Sequence, residues 1–285
     1  MRLFSVFGLA LAVTACGAEK LEAPSTTESE QAAGTNAKGT AASTDKLFNS
    51  PPQVAIVNGE QAATIDISMP KNLDELHPDL AEEIRNRANR GTEAFIATAQ
   101  ADRQESVEKG FEFRPHSLDV NWLEVGPPEG RLASFLGTYA TYTGGAHPNV
   151  FFDVLSWDRQ EGKLLVFEDL FEDVESARAA MTSALKQGLL EQKRVRLEGT
   201  GIDEQEMLSA WVSPAFEGNE AVFQGFTVAR SSQSDKAGGL VYHFAPYEVG
   251  AYAEGVYEVG VPHDAFVDQL KPAYRDAFGG DPILP

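Results

Sequence analysis

The chain is poor in cysteine, in basic residues and in long apolar runs, and each shortage closes off a class of protein. One cysteine, Cys16, among 285 residues excludes an internal disulfide and a cysteine metal centre, so the fold must be held by its core alone. Lys and Arg number 23 against 43 Asp and Glu, a formal net charge of −20, which argues against a nucleic-acid partner because phosphates would be repelled. The acids either keep the chain soluble or draw a basic partner to it. A spanning helix needs roughly 20 apolar residues; the N-terminal run, residues 3–13, is too short and is broken by Ser5 and Gly8. Nucleophile-elbow and His-Glu-x-x-His patterns are missing, and the five histidines (His77, His116, His147, His243, His263) lack ligand spacing. Glu168, Asp169, Glu172, Asp173 and Glu175 form an acidic run without the turn glycine of a calcium loop. No metal, no cofactor and no enzymatic activity are expected.

What is present starts at the N-terminus. Arg2 precedes an apolar segment of signal-peptide length, and Val13-Thr14-Ala15-Cys16-Gly17 resembles the lipobox of bacterial lipoproteins. A signal peptide over residues 1–15 is expected to be cut before Cys16, whose thiol takes diacylglycerol as a thioether. Each buried methylene then contributes about 0.8 kcal/mol to membrane anchoring. An ordinary signal peptide with a chance cysteine is the alternative. Gly17, where inner-membrane retention uses Asp, implies by the same resemblance an outer-membrane lipoprotein facing the periplasm. Residues 16–50 are rich in Ala, Ser, Thr, Glu and Gly and lack aromatics until Phe48, the composition of a disordered tether. Residues 51–285 remain as one domain, with an N-terminal part near 60–145 and a C-terminal part near 146–275.

Hydrophobic periodicity predicts a strand over 64–68 and an amphipathic helix over 72–100, started at Pro78 and interrupted at Gly91. Period-two segments follow at 117–125, 133–143, 150–157 and 163–167, with turns at 126–130 and 158–162. Helices are expected over 174–197, 203–211 and 263–278, and strands over 222–228, 240–244 and 256–261. This order predicts an α+β fold, helices packed on an antiparallel meander.

Chemistry concentrates in the string Tyr139, Thr141, Tyr142, Thr143, Gly144, Gly145, His147, Asn149. Gly144-Gly145 between alternating strands signals a hairpin turn. Either His147 merely lies beside that turn, or the tyrosines, threonines, imidazole and exposed amides form a binding loop on a rigid sheet. Asp153 shares a strand face with Phe151, Leu155 and Trp157, and a carboxylate there needs a partner, His147 or Tyr142, unless the strand end exposes it. A carboxylate pair of Asp153 with Glu168 or Asp169 would suit glycoside hydrolysis only at the right separation.

Thr141-Tyr142-Thr143-Gly144-Gly145-Ala146-His147, followed by Phe152-Asp153, Gly162-Lys163 and Phe167-Glu168-Asp169-Leu170-Phe171, resembles the DUF3298 family. A second block, residues 239–250 with Gly255 and Val261-Pro262, is similar to that family's later motif. Residues 65–100 are placed like the DUF4163 domain that usually precedes it, with weaker motifs. The resemblance implies a single globular domain like the extracellular part of RsiV-type lysozyme-sensing anti-sigma factors and the non-catalytic N-terminal part of PdaC-type peptidoglycan deacetylases. It also implies recognition of a basic lysozyme-type hydrolase or of peptidoglycan. Departures are Pro148, where the family often has Gly, and the lack of a cytoplasmic signalling segment. The expectation is a membrane-anchored periplasmic lipoprotein acting as a non-enzymatic binding module. Its alternatives are an enzyme on cell-wall glycan using His147 and Asp153, or a scaffold lipoprotein for another envelope protein.

Overall fold

The computed structural model describes residues 53–57 and 59–283. The expected signal peptide, Cys16 and tether lie outside the described residues. Two short strands, β1 (Gln53–Val57) and β2 (Glu60–Ser68), form a hairpin. Helices α1 (Pro78–Asn89) and α2 (Thr92–Lys109) follow. Pro78 occupies the first turn of α1, and the His77 side chain accepts a hydrogen bond from the Asp79 N–H. Gly91, at φ 79°, separates the two helices where the hydrophobic period breaks.

The meander is β3 (His116–Glu124), β4 (Leu132–Tyr142), β5 (Asn149–Asp158) and the two-residue β6 (Lys163–Leu164). It joins the first hairpin in a six-stranded sheet of order β1-β2-β3-β4-β5-β6. The antiparallel expectation needs one correction: β2 pairs with β3 in parallel, because α1 and α2 carry the chain back over the sheet. Ile65, Ile84, Trp122 and Phe135 form the core between this sheet and the helices. Gly137 lies opposite Trp122 in the ladder, and a Cβ there would sit 2.5 Å from the indole.

The strand expected over 163–167 stops at Leu164. Phe167 already begins α3 (Phe167–Leu170), with Asp169 accepting from the Val166 N–H. Helix α4 (Val174–Arg196), capped by Asp173, buries Ala177, Met181, Leu185 and Leu189 as one stripe. The short α5 (Glu204–Met207) follows. A second sheet of order β10-β7-β8-β9 comprises β7 (Phe226–Ser231), β8 (Gly239–Phe244), β9 (Tyr257–Pro262) and β10 (Pro282–Ile283). The strand expected from 222 begins only at Phe226, since Glu220–Gln224 is a 3-10 turn. The closing helix expected over 263–278 is replaced by two 3-10 turns and the four-residue α6 (Pro272–Arg275).

The sheets are joined by hydroxyls. Val228 N–H donates to Ser134 Oγ (2.8 Å), the Ser134 and Ser156 hydroxyls bond at 2.7 Å, and Ser156 donates to the Phe226 carbonyl (3.2 Å). Among the described residues no helix is long and apolar enough to cross a membrane.

Candidate binding site

The β4–β5 connection spans residues 143–148, wider than a two-residue turn. The ladder ends at Thr141↔Asn149; the next opposed pair would place Pro148, which has no N–H to donate, against Tyr142. Gly144, at φ 85°, supplies the left-handed corner, whereas Gly145 does not. Thr143, Gly145, His147 and Asn149 are exposed, and Thr141 and Tyr142 are half-buried.

His147 stacks on Tyr252 with ring centroids 3.6 Å apart and planes 20° from parallel. Tyr252 lies in the 3-10 turn Tyr252–Glu254 of the second half of the chain, and its hydroxyl donates to the Pro148 carbonyl at 2.8 Å. Tyr247 extends the cluster, its ring 5.8 Å from that of Tyr252. Tyr247 is exposed and has φ 75°, the one non-glycine residue among those described in the left-handed region. An aromatic residue held there carries local strain, and such strain concentrates at ligand-binding and switching sites. The loop, the stacked pair and the strained tyrosine form an aromatic rim contributed by both sheets.

A buried ion pair supports this rim. Lys193, fully buried near the end of α4, meets Glu254 at 2.6 Å. Glu254 also accepts from the Tyr257 hydroxyl and the Ala251 N–H, each at 2.6 Å. Burial alone would raise the pKa of Glu254, but the hydrogen bonds from Lys193, Tyr257 and Ala251 and the Lys193 charge bring it below its ordinary value. The turn that presents Tyr252 is thereby fixed to α4.

Two expected site residues face elsewhere. Tyr139 is buried on the α1 side, stacked on Phe151 at 4.9 Å and donating to the Arg87 carbonyl at 2.8 Å. Asp153 pairs with neither His147 nor Tyr142; its partner is Arg87 of α1, at 2.7 Å. Arg87 binds Glu83 as well, and despite burial these acids hold its pKa above the usual value. Tyr142 bonds Arg114, which raises the guanidinium pKa. The glycoside-type carboxylates are also engaged separately, Glu168 with Arg178 and Asp169 with Lys163. Sequence reasoning missed Tyr247 and Tyr252. The first lies in the motif block that carried the resemblance, so the signal was present; the stacking of Tyr252 on a residue over a hundred positions away has no local signature.

Comparison with known proteins is consistent with this two-part construction. Residues 56–150 match the family described as “Deacetylase PdaC”, and residues 168–264 match “Protein of unknown function (DUF3298)”. The DUF3298 resemblance is thus borne out over the blocks at 168–171 and 239–262, whereas the string 139–149 read with it falls within the PdaC match. A solved DUF3298 family structure from Bacteroides fragilis NCTC 9343 is similar in fold, with TM-score 0.53 and 15% identity over 80% of this chain and 93% of the other. Another, from Pseudomonas aeruginosa PAO1, has TM-score 0.49 and 14% identity over 82% and 95%. No curated protein matches.

Proposed function

We propose that this chain is a cell-wall-associated binding module, anchored through a lipid on Cys16 at the periplasmic face of the outer membrane. Its ligand is peptidoglycan or a basic lysozyme-type muramidase acting on it. The observation that carries the reading is the aromatic rim, exposed His147 stacked on half-buried Tyr252 with exposed, strained Tyr247 beside them. Flat rings with polar edges suit a sugar face or an interface anchor. The matches to PdaC and DUF3298 support association with the cell wall, and the net charge of −20 suits a basic partner.

The test is pull-down of the full chain on peptidoglycan sacculi and on immobilised basic lysozyme. The wild type is expected to be retained by at least one, and His147→Ala or Tyr252→Ala to weaken retention about tenfold, the loss of about 1.4 kcal/mol. Retention unchanged in both variants, or none by the wild type, overturns the reading.

An enzymatic reading is favoured by one observation. Thr227 Oγ1 lies 2.9 Å from His243 Nε2, and His243 Nδ1 lies 3.0 Å from Glu258, a hydroxyl–imidazole–carboxylate chain. Thr227 is only 1% exposed, however, so a nucleophile there would need the sheets to part. Turnover of sacculi that disappears in Thr227→Val would establish this second reading.

A further inference from the structure

We propose that His116 is an acid-sensitive brace for the binding loop: on gaining a proton, its buried ring releases α2 and with it the segment that supports Tyr142 and Gly144. The inference deepens the binding-module reading, on which it rests, by naming what regulates the rim.

His116 opens β3 and is 3% exposed. Its ring packs against Phe95 of α2 and Phe113 of the segment 110–115 that links α2 to β3, with centroids 6.1 and 5.3 Å away. Nδ1 is buried and has no hydrogen-bond partner. Nε2 lies 3.7 Å from a carboxylate oxygen of Asp102 on α2, too far for a hydrogen bond. In the neutral ring with its proton on Nε2, Nδ1 is only an unused acceptor; a second proton makes both nitrogens donors. The added N–H and its charge then stand in the interior with nothing to accept them. The other charges nearby do not help. Arg103 of α2 pairs with Glu60 of β2 and sits 5.2 Å over the Phe113 ring, a second cation in the same neighbourhood. Glu112 and Arg114 of the linking segment are exposed, and β2 sets Ala63 opposite His116. Asp102 is itself 48% exposed, so water screens its pull. Burial accordingly holds the His116 pKa below its ordinary 6.5, against the Asp102 charge.

The helix that covers this ring is lightly held. Of the 18 residues of α2, Thr92, Ala99 and Ser106 are buried, while Phe95 and Ile96 pack partly on the core. A helix with so little buried apolar surface opens at low cost. The linking segment connects it to the rim. Arg114 bonds Tyr142, and a Cβ built on Gly144 would stand 3.8 Å from the Arg114 side chain. Ser117, on the other side of His116, pairs with Tyr142 in the ladder. The loop that carries His147 therefore leans on residues that flank His116 in the chain. A histidine whose folded pKa is depressed stabilises the docked arrangement above pH 6.5 and loses that contribution as pH falls through the folded value. Mild acid thus loosens α2, the linking segment and the loop together, in the range where histidines titrate.

The experiment is amide hydrogen exchange of the full chain from about pH 7.5 to about pH 5.5, read over α2 and residues 110–117 and corrected for the intrinsic pH dependence of exchange. The opening constant of these amides is expected to rise about five- to tenfold across that range in the wild type, since linkage allows at most about tenfold per pH unit below the ordinary histidine value. In His116→Leu, which keeps an apolar side chain and cannot titrate, it should stay constant. Asp102→Asn, at a half-exposed position, tests the same point without touching the ring. Loss of the Asp102 charge should move the His116 titration, followed by ring NMR, to still lower pH. Retention on sacculi or basic lysozyme should weaken with acid more in the wild type than in His116→Leu; His147 titrates in both proteins, so the difference belongs to His116. A flat opening constant in the wild type, an unchanged rise in His116→Leu, or a His116 titration that Asp102→Asn leaves in place or moves upward overturns the proposal. No retention at any pH, with the exchange response intact, overturns the binding module and leaves the acid-sensitive helix standing. Retention without an exchange response does the reverse.

Discussion

Lys193 carries a charge into the core of the C-terminal half, and its stability there depends on one carboxylate. Removing one partner of a buried ion pair leaves the other uncompensated, at a cost of about 3–5 kcal/mol. Lys193→Met is therefore expected to lower the urea midpoint of the protein steeply, and Lys193→Met combined with Glu254→Leu to recover much of the loss, as followed by tryptophan fluorescence. The same pair sets a pH dependence. Glu254 and Asp158 both have folded pKa values below their ordinary ones, in each case because the hydrogen bonds and charge of a cation and its neighbours outweigh burial. Carboxyls of this kind add stability above their unfolded pKa and lose it as pH falls through the folded value. The contribution of these two carboxyls to the unfolding free energy should hence be nearly flat above pH 4.5, the ordinary glutamate value, and fall below it. Glu254→Gln, already weakened, should show a shallower fall; an equal slope in the variant would remove Glu254 from the explanation. None of these pairings is visible in sequence. Arg87 and Asp153 lie 66 positions apart, and side-chain chemistry names a need for a partner without naming which one.

Elements were legible to the extent that their own periodicity decided them. Strand β3 and helices α1 and α4 follow their hydrophobic patterns because each buries one face, while β4 and β5 are buried on both faces where the two sheets meet, at 132–135 and 155–158. The segment after β9 shows why the rest was not. Phe266, Leu270, Tyr274 and Phe278 fall at intervals of four, as on a helix, and all are buried. Yet Lys271 N–H donates to the Leu170 carbonyl, Glu172 N–H donates to the Gln269 carbonyl, and Pro272 forces Lys271 into extended geometry, so pairing with a distant segment takes the place of helical bonds. In the first sheet, Gly137 is set by contact and not by turn chemistry. Gly137→Ala should force the Trp122 ring to move and destabilise the protein by about 1–3 kcal/mol, measured as a drop in thermal midpoint. A midpoint within a degree of wild type would mean that the indole can shift freely.

At the scale of the whole molecule, charge and topology act together. The formal charge of −20 produces a field that steers a basic ligand over distances longer than any contact. The association rate with basic lysozyme is expected to drop at least tenfold between low and high ionic strength while the dissociation rate changes little, a pattern stopped-flow fluorescence resolves. A salt-independent association rate would remove the field from the account. The chain's two family-matched segments, 56–150 and 168–264, each supply one of the stacked rings, His147 and Tyr252. The rim belongs to neither segment alone, so shuffling one of them into a new neighbour does not carry it along. A cut between the segments would separate the two stacked rings and the hydrogen bond by which the phenol of one holds the proline carbonyl of the other.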